Sequence, residues 1–419
     1  MQNLGDNMTY LASHKKMKAL MTNYYFEAKT TREKPIAWVT SGAPVEFLYA
    51  MDVLPIYPEN YAAMCAAGHQ SLELLEAAEA AGFSQDLCAY ARTDFGVDIT
   101  QGGPAAGLPP PHFLLCSTNI CKTVIKWYEV VARKYDVPLF IVDTPFLHDG
   151  LSKELKDYTI SQFKDLERFL ADFSKRPFDH KRFIDVLSLS RQASVYWRQI
   201  LYLCRTIPAP INSLDSFIHL GPIVTLRGTQ ECVDYYKSLY AEVAERARQK
   251  IGSIPEEKYR VLWDNLPVWF KMSRLGTFFE QKKCTLVVTT YANSWGGLSD
   301  FQEDQTGDIY QAIAASYLNV YINLGFEERI KYLARLVDDF SLTGFIMHSN
   351  RSCKPYSVGM YRLQKEVSKL TGKPGVVIEA DQNDPRAYSD AQVETRLEAF
   401  IESMAPITEN RGQMAEDRK

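Results

Sequence analysis

Cys88, Cys121 and Cys353 each stand in a polar loop just past or between apolar runs that read as strands. A thiol placed that way faces a cleft rather than a core. The sharpest case is Thr343-Gly-Phe-Ile-Met-His-Ser-Asn-Arg-Ser-Cys353-Lys-Pro-Tyr-Ser, a short apolar strand running into a cationic turn that carries a cysteine. Open α/β sheets bind ligands outside the carboxyl ends of their strands. Arg351 and Lys354, flanking the sulfur, are expected to lower its pKa and favour the thiolate.

The chain has eight cysteines among 419 residues, and no apolar segment at the N-terminus reads as an export signal. A disulfide framework is therefore not expected, because the cytosol keeps thiols reduced. The cysteines must be core thiols, metal ligands or nucleophiles. No Cys-x2-Cys pair of the zinc type occurs, the closest spacing being Cys116-x4-Cys121. Several well-separated thiolates at strand ends suit an iron–sulfur cluster assembled by folding, since cysteine sulfur holds such clusters. Cys65, Cys204, Cys232 and Cys284 fall on helix faces or within a strand and read as core thiols. Cys116, closing a strand, is compatible with either role.

The first half offers further strand-end residues. One strand ends at Thr40-Ser41-Gly42, a second at Tyr57-Pro58-Glu59-Asn60 and a third at Cys116-Ser-Thr-Asn-Ile-Cys121. Neighbouring strands lie about 4.8 Å apart, so Ser41, Glu59 and Cys121 are expected to share one pocket, with Cys88 arriving from Gln85-Asp-Leu-Cys-Ala-Tyr-Ala-Arg92. Taken singly, Glu59 reads as a solvated loop acid or helix cap, Ser41-Gly42 as a turn, and His348, His112 and His148 as hydrogen-bonded structural histidines. There is no Gly-x4-Gly-Lys-Ser/Thr loop and no strand-linked Gly-x-Gly-x-x-Gly. P-loop ATP hydrolysis is thus excluded and nucleotide-dependent hydride transfer disfavoured.

The elements that must carry these residues alternate. Strands are expected at 36–40, 53–57, 113–116 and 138–142, with a helix from Ser71, as cap, to Gly82, as stop, and another from Lys122 to Lys134. Long amphipathic helices follow at 153–173, 181–205 and 230–249. Strands then return at 284–289, 344–348 and 375–379, with helices near 309–323, 327–338, 358–371 and 389–404. Strands separated by helices make a mostly parallel sheet. The expected fold is α/β: two doubly wound, mostly parallel-sheet domains joined by a helical layer, with an N-terminal helical segment. The boundaries are 1–34 for that segment, 35–150 for the first α/β domain, 151–280 for the helical connection, 281–407 for the second α/β domain and 408–419 for a charged, disordered tail. A net charge of −4 without a basic tract gives no footprint for nucleic acid. No apolar run approaches the roughly 18 residues of a membrane span, so a cytoplasmic protein with small-molecule or protein partners is expected.

At Trp38-Val-Thr-Ser41, Tyr57-Pro-Glu-Asn60, Asp86-Leu-Cys-Ala-Tyr-Ala-Arg92, Cys116-Ser-Thr-Asn-Ile-Cys121 with Lys126-Trp-Tyr-Glu129, His348-Ser-Asn-Arg-Ser-Cys-Lys354 and Asp381-Gln-Asn-Asp-Pro-Arg386, the chain resembles the 2-hydroxyacyl-CoA dehydratase and benzoyl-CoA reductase family, specifically the α-type dehydratase subunit. The resemblance implies a [4Fe-4S] cluster held by Cys88, Cys121 and Cys353 with the fourth iron open. It also implies a homologous β-type subunit as heterodimer partner, and a separate ATP-hydrolysing iron–sulfur activator that delivers one electron at a time. The activity implied is removal of water from an (R)-2-hydroxyacyl-CoA through a ketyl radical, with Glu59 and Ser41 at the family's acid–base and substrate-hydroxyl positions. Gly221-Pro-Ile-Val-Thr-Leu-Arg-Gly228 and Val287-Val-Thr-Thr-Tyr-Ala-Asn-Ser-Trp-Gly-Gly297 look more like the ring-reducing members. The alternatives are a benzoyl-CoA reductase-type subunit and a double-cubane-cluster reductase.

Overall fold

The computed structural model describes residues 11–300 and 308–407; the tail expected from 408 onward lies outside them. A helix from Ser13 to Thr30 precedes the first strand. The first sheet comprises β1 (Ile36–Val39), β2 (Leu54–Ile56), β3 (Phe113–Ser117) and β4 (Leu139–Val142), in the order β2-β1-β3-β4. All its pairings are parallel, with Trp38 between Ile56 and Leu114, and Leu115 opposite Phe140. The residues of β1, β2 and β3 are buried throughout. This is why these strands read as continuous apolar runs rather than alternating ones, since helices cover both faces of a parallel sheet.

The second sheet repeats the plan with β5 (Tyr259–Asp264), β6 (Cys284–Thr289), β7 (Gly344–Asn350) and β8 (Gly375–Ala380), in the order β6-β5-β7-β8, again wholly parallel. Helices Lys153–Ser174, His180–Leu203 and Gln230–Arg248 lie between the two sheets in the chain. Ser152, Asp179 and Thr229 cap them by accepting amides of the first turn. Among the described residues, no helix is long and apolar enough to cross a membrane.

Two local expectations are corrected. The segment read as helical up to residue 280 contains β5, a central strand of the second sheet. Arg260 in its middle disguises it. This arginine is fully buried, donating to the carbonyls of Phe340, Thr206 and Cys204 at 3.0, 3.1 and 2.7 Å and pairing with Glu257, so a charge stands where the apolar pattern should continue. Ser71 is also not a cap. It is the first residue of the helix Ser71–Ala80, and its hydroxyl donates 2.7 Å to the carbonyl of Asn383 in the other α/β unit. Gly82 does end that helix's exit, at φ +97°, a conformation open to glycine at no steric cost.

The units meet through buried polar bonds. Asn383 donates to the Ala62 carbonyl and to Thr93, the Ala89 amide donates to Ser352, and Trp269 donates to the Tyr90 hydroxyl at 2.6 Å. Arg92 forms ion pairs with Glu79 and with Asp384, the latter at 3.3 Å. A continuous hydrophobic core runs through both units, from Trp38 and Phe113 to Phe345 and Met347.

Candidate functional site

In each sheet the strand order reverses direction between the two central strands: between β1 and β3 in the first, and between β5 and β7 in the second. Loops leaving neighbouring strands in opposite directions leave a crevice at that point. Here both crevices open onto one cavity of about 160 Å³. The first sheet contributes Ser41 and Gly42 after β1 and Asn119 to Cys121 after β3; the second contributes Leu266 after β5 and Cys353 after β7. Glu59 and Cys88 complete the set, so all five residues singled out from sequence line the same space.

Close approach of the β1 and β3 loops depends on Gly42. A Cβ there would lie 2.3 Å from the Asn119 side-chain oxygen and 2.9 Å from Ile120. Asn119 is fixed by accepting from Ser117 and donating to the Tyr317 carbonyl at 2.9 Å. Glu59 sits in the first turn of the helix Pro58–Ala67, just after its N-terminal proline. The Ser41 amide donates to it at 3.0 Å. Burial pushes the Glu59 carboxyl above its ordinary range, although the Ser41 amide and hydroxyl both oppose the shift. A fraction of this acid therefore stays protonated where an exposed glutamate would be ionised.

The three thiols share a local design. Cys88 precedes the helix Ala89–Thr100 and faces the amides of Ala91 and Tyr90. Cys121 lies just before Thr123–Tyr135 and faces those of Val124 and Thr123. Cys353 opens the turn Lys354–Ser357 and faces that of Tyr356. Each sulfur is thus set under backbone N–H groups that stabilise a thiolate. Gln382 adds a side-chain amide 3.8 Å from Cys88. The loop that carries Gln382 is built on Asp381, whose carboxylate accepts the amides of Ser352, Asn383 and Asp384 at 3.0, 2.9 and 3.0 Å and so ties the Cys353 turn to the end of β8.

The free thiols are nonetheless weak acids. Burial pushes Cys88 up to about 12 and Cys121 up to about 11, and drives Cys353 well above its ordinary value, with Cys88 and Cys121 adding to that last shift. The expectation that Arg351 and Lys354 would lower the Cys353 pKa is corrected. Both side chains lie exposed to solvent, and Lys354 donates to the Arg351 carbonyl at 3.2 Å instead of facing the sulfur. Among the described residues, no three His, Cys, Asp or Glu side chains close on a single metal ion; the three thiols are spread around the cavity wall.

The remaining candidates fall into structural roles. Cys116 is fully buried in β3 and outside the cavity lining. Cys65, Cys204, Cys232 and Cys284 are buried as well. His348 is buried with Nδ1 2.8 Å from the Leu266 carbonyl, and His112 accepts the Ile36 amide at 3.0 Å. Sequence reasoning missed Tyr90, Trp127, Arg227, Tyr291, Tyr317 and Gln382, which also line the cavity. All of these but Tyr317 lie within segments quoted for the resemblance, but nothing in those segments distinguished a wall residue from a core one.

Comparison with known proteins bears on this geometry. The family model for the 2-hydroxyglutaryl-CoA dehydratase D-component matches residues 40–404. The chain is 34% identical over 405 residues to the (R)-2-hydroxyisocaproyl-CoA dehydratase alpha subunit of Clostridioides difficile, covering 94% of this chain and 97% of that one. It is 32% identical to the (R)-phenyllactyl-CoA dehydratase alpha subunit of Clostridium sporogenes, covering 90% and 91%, and 30% identical to one subunit of the benzoyl-CoA reductase of Thauera aromatica, covering 89% of each. The chain therefore belongs to the 2-hydroxyglutaryl-CoA dehydratase D-component family. It is an enzyme subunit of the alpha type.

Proposed function

We propose that the chain is the iron–sulfur alpha subunit of a cytoplasmic, oxygen-sensitive (R)-2-hydroxyacyl-CoA dehydratase, which removes water to give the 2-enoyl-CoA. The observation that carries this reading is the convergence of Cys88, Cys121 and Cys353 with Glu59 and Ser41 on one cavity fed by both sheets. The donor set fits a cubane cluster better than a single ion. Iron atoms at separate corners of a cube take thiolates that stand apart from one another, and three thiols leave one corner for a non-cysteine ligand. Bound by Cys88, Cys121 and Cys353, a [4Fe-4S] cluster would supply the low-potential electron that makes loss of the 2-hydroxyl feasible. With no P-loop in the chain, the driving energy is assigned to a separate ATP-hydrolysing activator, and the other half of the complex to a homologous beta-type subunit.

The residues of this chain do the rest. The Ser41 hydroxyl holds the substrate's hydroxyl against Glu59. The raised pKa of Glu59 keeps a proton on its carboxyl at the leaving oxygen, and positioned acids of this kind accelerate such steps by roughly 10²–10⁴-fold. The backbone amides around the three sulfurs offset the negative charge of the thiolates. A second cavity of about 630 Å³ adjoins the first through Ser294, Gly297 and Ser316, and carries Lys156, Arg198, Lys331 and Arg335; such a wall suits the phosphates of coenzyme A.

Glu59→Gln is expected to lower turnover by about 10²–10⁴-fold while leaving the iron–sulfur absorption intact; an unchanged rate removes Glu59 from the mechanism. Cys353→Ser, and equally the serine variants of Cys88 and Cys121, should bleach that absorption, and full iron content in any of them removes that cysteine from the ligand set. The similarity to a benzoyl-CoA reductase favours ring reduction as the second reading. Electron paramagnetic resonance of the reduced complex separates the two: a signal that responds to a 2-hydroxyacyl-CoA supports dehydration, and one that responds only to benzoyl-CoA supports ring reduction.

A further inference from the structure

Arg227 is the single cationic side chain among the described residues that line the first cavity, and its charge is already neutralised. Its Nε donates to Glu46 at 2.9 Å, and one terminal nitrogen donates to the Tyr317 hydroxyl at 3.0 Å and the Ala43 carbonyl at 3.5 Å. The Tyr317 hydroxyl in turn donates to the second Glu46 oxygen at 2.5 Å. Both members of the pair are almost wholly shielded from solvent. Burial raises the Glu46 carboxyl, but Arg227 and the hydrogen bonds from Tyr317 and Arg227 outweigh it, so Glu46 is held below its ordinary value and stays ionised. The guanidinium carbon stands 5.8 Å from the Trp295 ring centre, whose face takes up part of the remaining cationic field. Beyond Arg227, the thiols and the acid–base pair, the described wall is uncharged: it carries the apolar side chains of Ile120, Val124, Trp127, Leu266, Val320 and Ile322, together with neutral polar ones such as Asn119, Thr123 and Gln382.

We propose that the acyl group accepted by this cavity is uncharged and apolar, and that chains ending in a carboxylate are rejected because Arg227 is committed to Glu46. This inference rests on the acyl-CoA reading given above. A carboxylate entering the cavity would shed its water, find no uncompensated positive charge, and share the space with Glu59. A buried charge without a partner is strongly unfavourable. An alkyl or aryl chain has no charge to desolvate and gains contact with the six apolar residues.

The test uses the anaerobically purified protein with its co-purifying partner and two thioesters that lack a 2-hydroxyl and cannot turn over, isocaproyl-CoA and glutaryl-CoA, titrated by calorimetry. Isocaproyl-CoA is expected to bind on the order of 100-fold more tightly, the discrimination that follows from leaving one charge unpaired. Glu46→Gln releases the charge of Arg227, and Val320→Lys adds a cation at a half-buried wall position. Each is expected to narrow the preference by about tenfold or more, the coupling of one close charge pair. Should Glu46→Gln not fold, the wild-type comparison and Val320→Lys still decide. Equal affinity for the two thioesters in the wild type, or an unchanged preference in both variants, overturns the proposal. Failure of both thioesters to bind overturns the acyl-CoA reading itself, and this inference with it.

Discussion

Asp94 sits beneath the site on the helix Ala89–Thr100, almost wholly buried, where its carboxyl accepts the indole N–H of the cavity residue Trp127 at 2.7 Å. Burial pushes it up to about 7, against an ordinary value of 3.8; the bond from Trp127 and the charge of Lys134 oppose the shift without cancelling it. A carboxyl whose folded pKa lies above its unfolded one favours folding while it is protonated in the folded state, and that advantage is lost as pH rises through the folded value. Each unit of difference is worth about 1.4 kcal/mol, so roughly 4 kcal/mol drains away between about pH 4 and pH 7, about half of it above pH 5.5. Asp94→Asn keeps the shape and an oxygen for Trp127 but has nothing to ionise. Denaturant unfolding of the two proteins, compared at about pH 5.5 and pH 8, should show the variant gaining on the wild type by about 2 kcal/mol across that window. Taking the difference between the two proteins removes every titration they share. A gap that stays constant with pH would mean that Asp94 is ionised throughout, and the account of its burial would be wrong.

Two further predictions concern packing and charge. Gly96 brings its helix so near to Ser71–Ala80 that a Cβ would lie 2.0 Å from the Leu74 carbonyl oxygen; Gly96→Ala should therefore cost at least about 1–3 kcal/mol of unfolding free energy, and a neutral result would show that the two helices can separate freely. Arg227→Met leaves Glu46 buried and unpaired, with an expected loss of about 3–5 kcal/mol, whereas the double variant with Glu46→Gln should recover most of it. A double variant no more stable than the single one would refute the pairing.

What the sequence disclosed depended on whether neighbours in space were also neighbours in the chain. Strand ends were legible because each is a local switch from apolar to polar residues, and Cys121 and Cys353 follow such switches within a few positions. The motif Asp381-Gln-Asn-Asp-Pro-Arg386 was visible as a unit, but its work is not local: its carboxylate and amides hold Ser352, Ala62 and Thr93. Strand β5 was hidden because Arg260 reads as exposed while carbonyls from distant turns satisfy it. Glu46 and Arg227 stand 181 positions apart, and no periodicity marks either as half of a pair. The acidity of Cys353 was misjudged for a related reason: adjacency in sequence placed two cations beside it, and the turn directs both of them outward.

Because the cavity is walled by the ends of both sheets, its parts leave the ribosome far apart in time. Cys88 and Cys121 are made early, and Cys353 more than two hundred residues later; at the usual pace of synthesis that interval is roughly ten to fifty seconds. Asp381, which anchors the last thiol's turn, comes later still. The two early sulfurs stand at the mouth of a pocket that is closed only once β7 and the loop after β8 have been made. A nascent chain halted between β4 and β7 carries two of the three thiols and only part of the wall. Completion of this cavity therefore waits on the second sheet, and products truncated before β7 are disqualified from it, however well their first sheet folds.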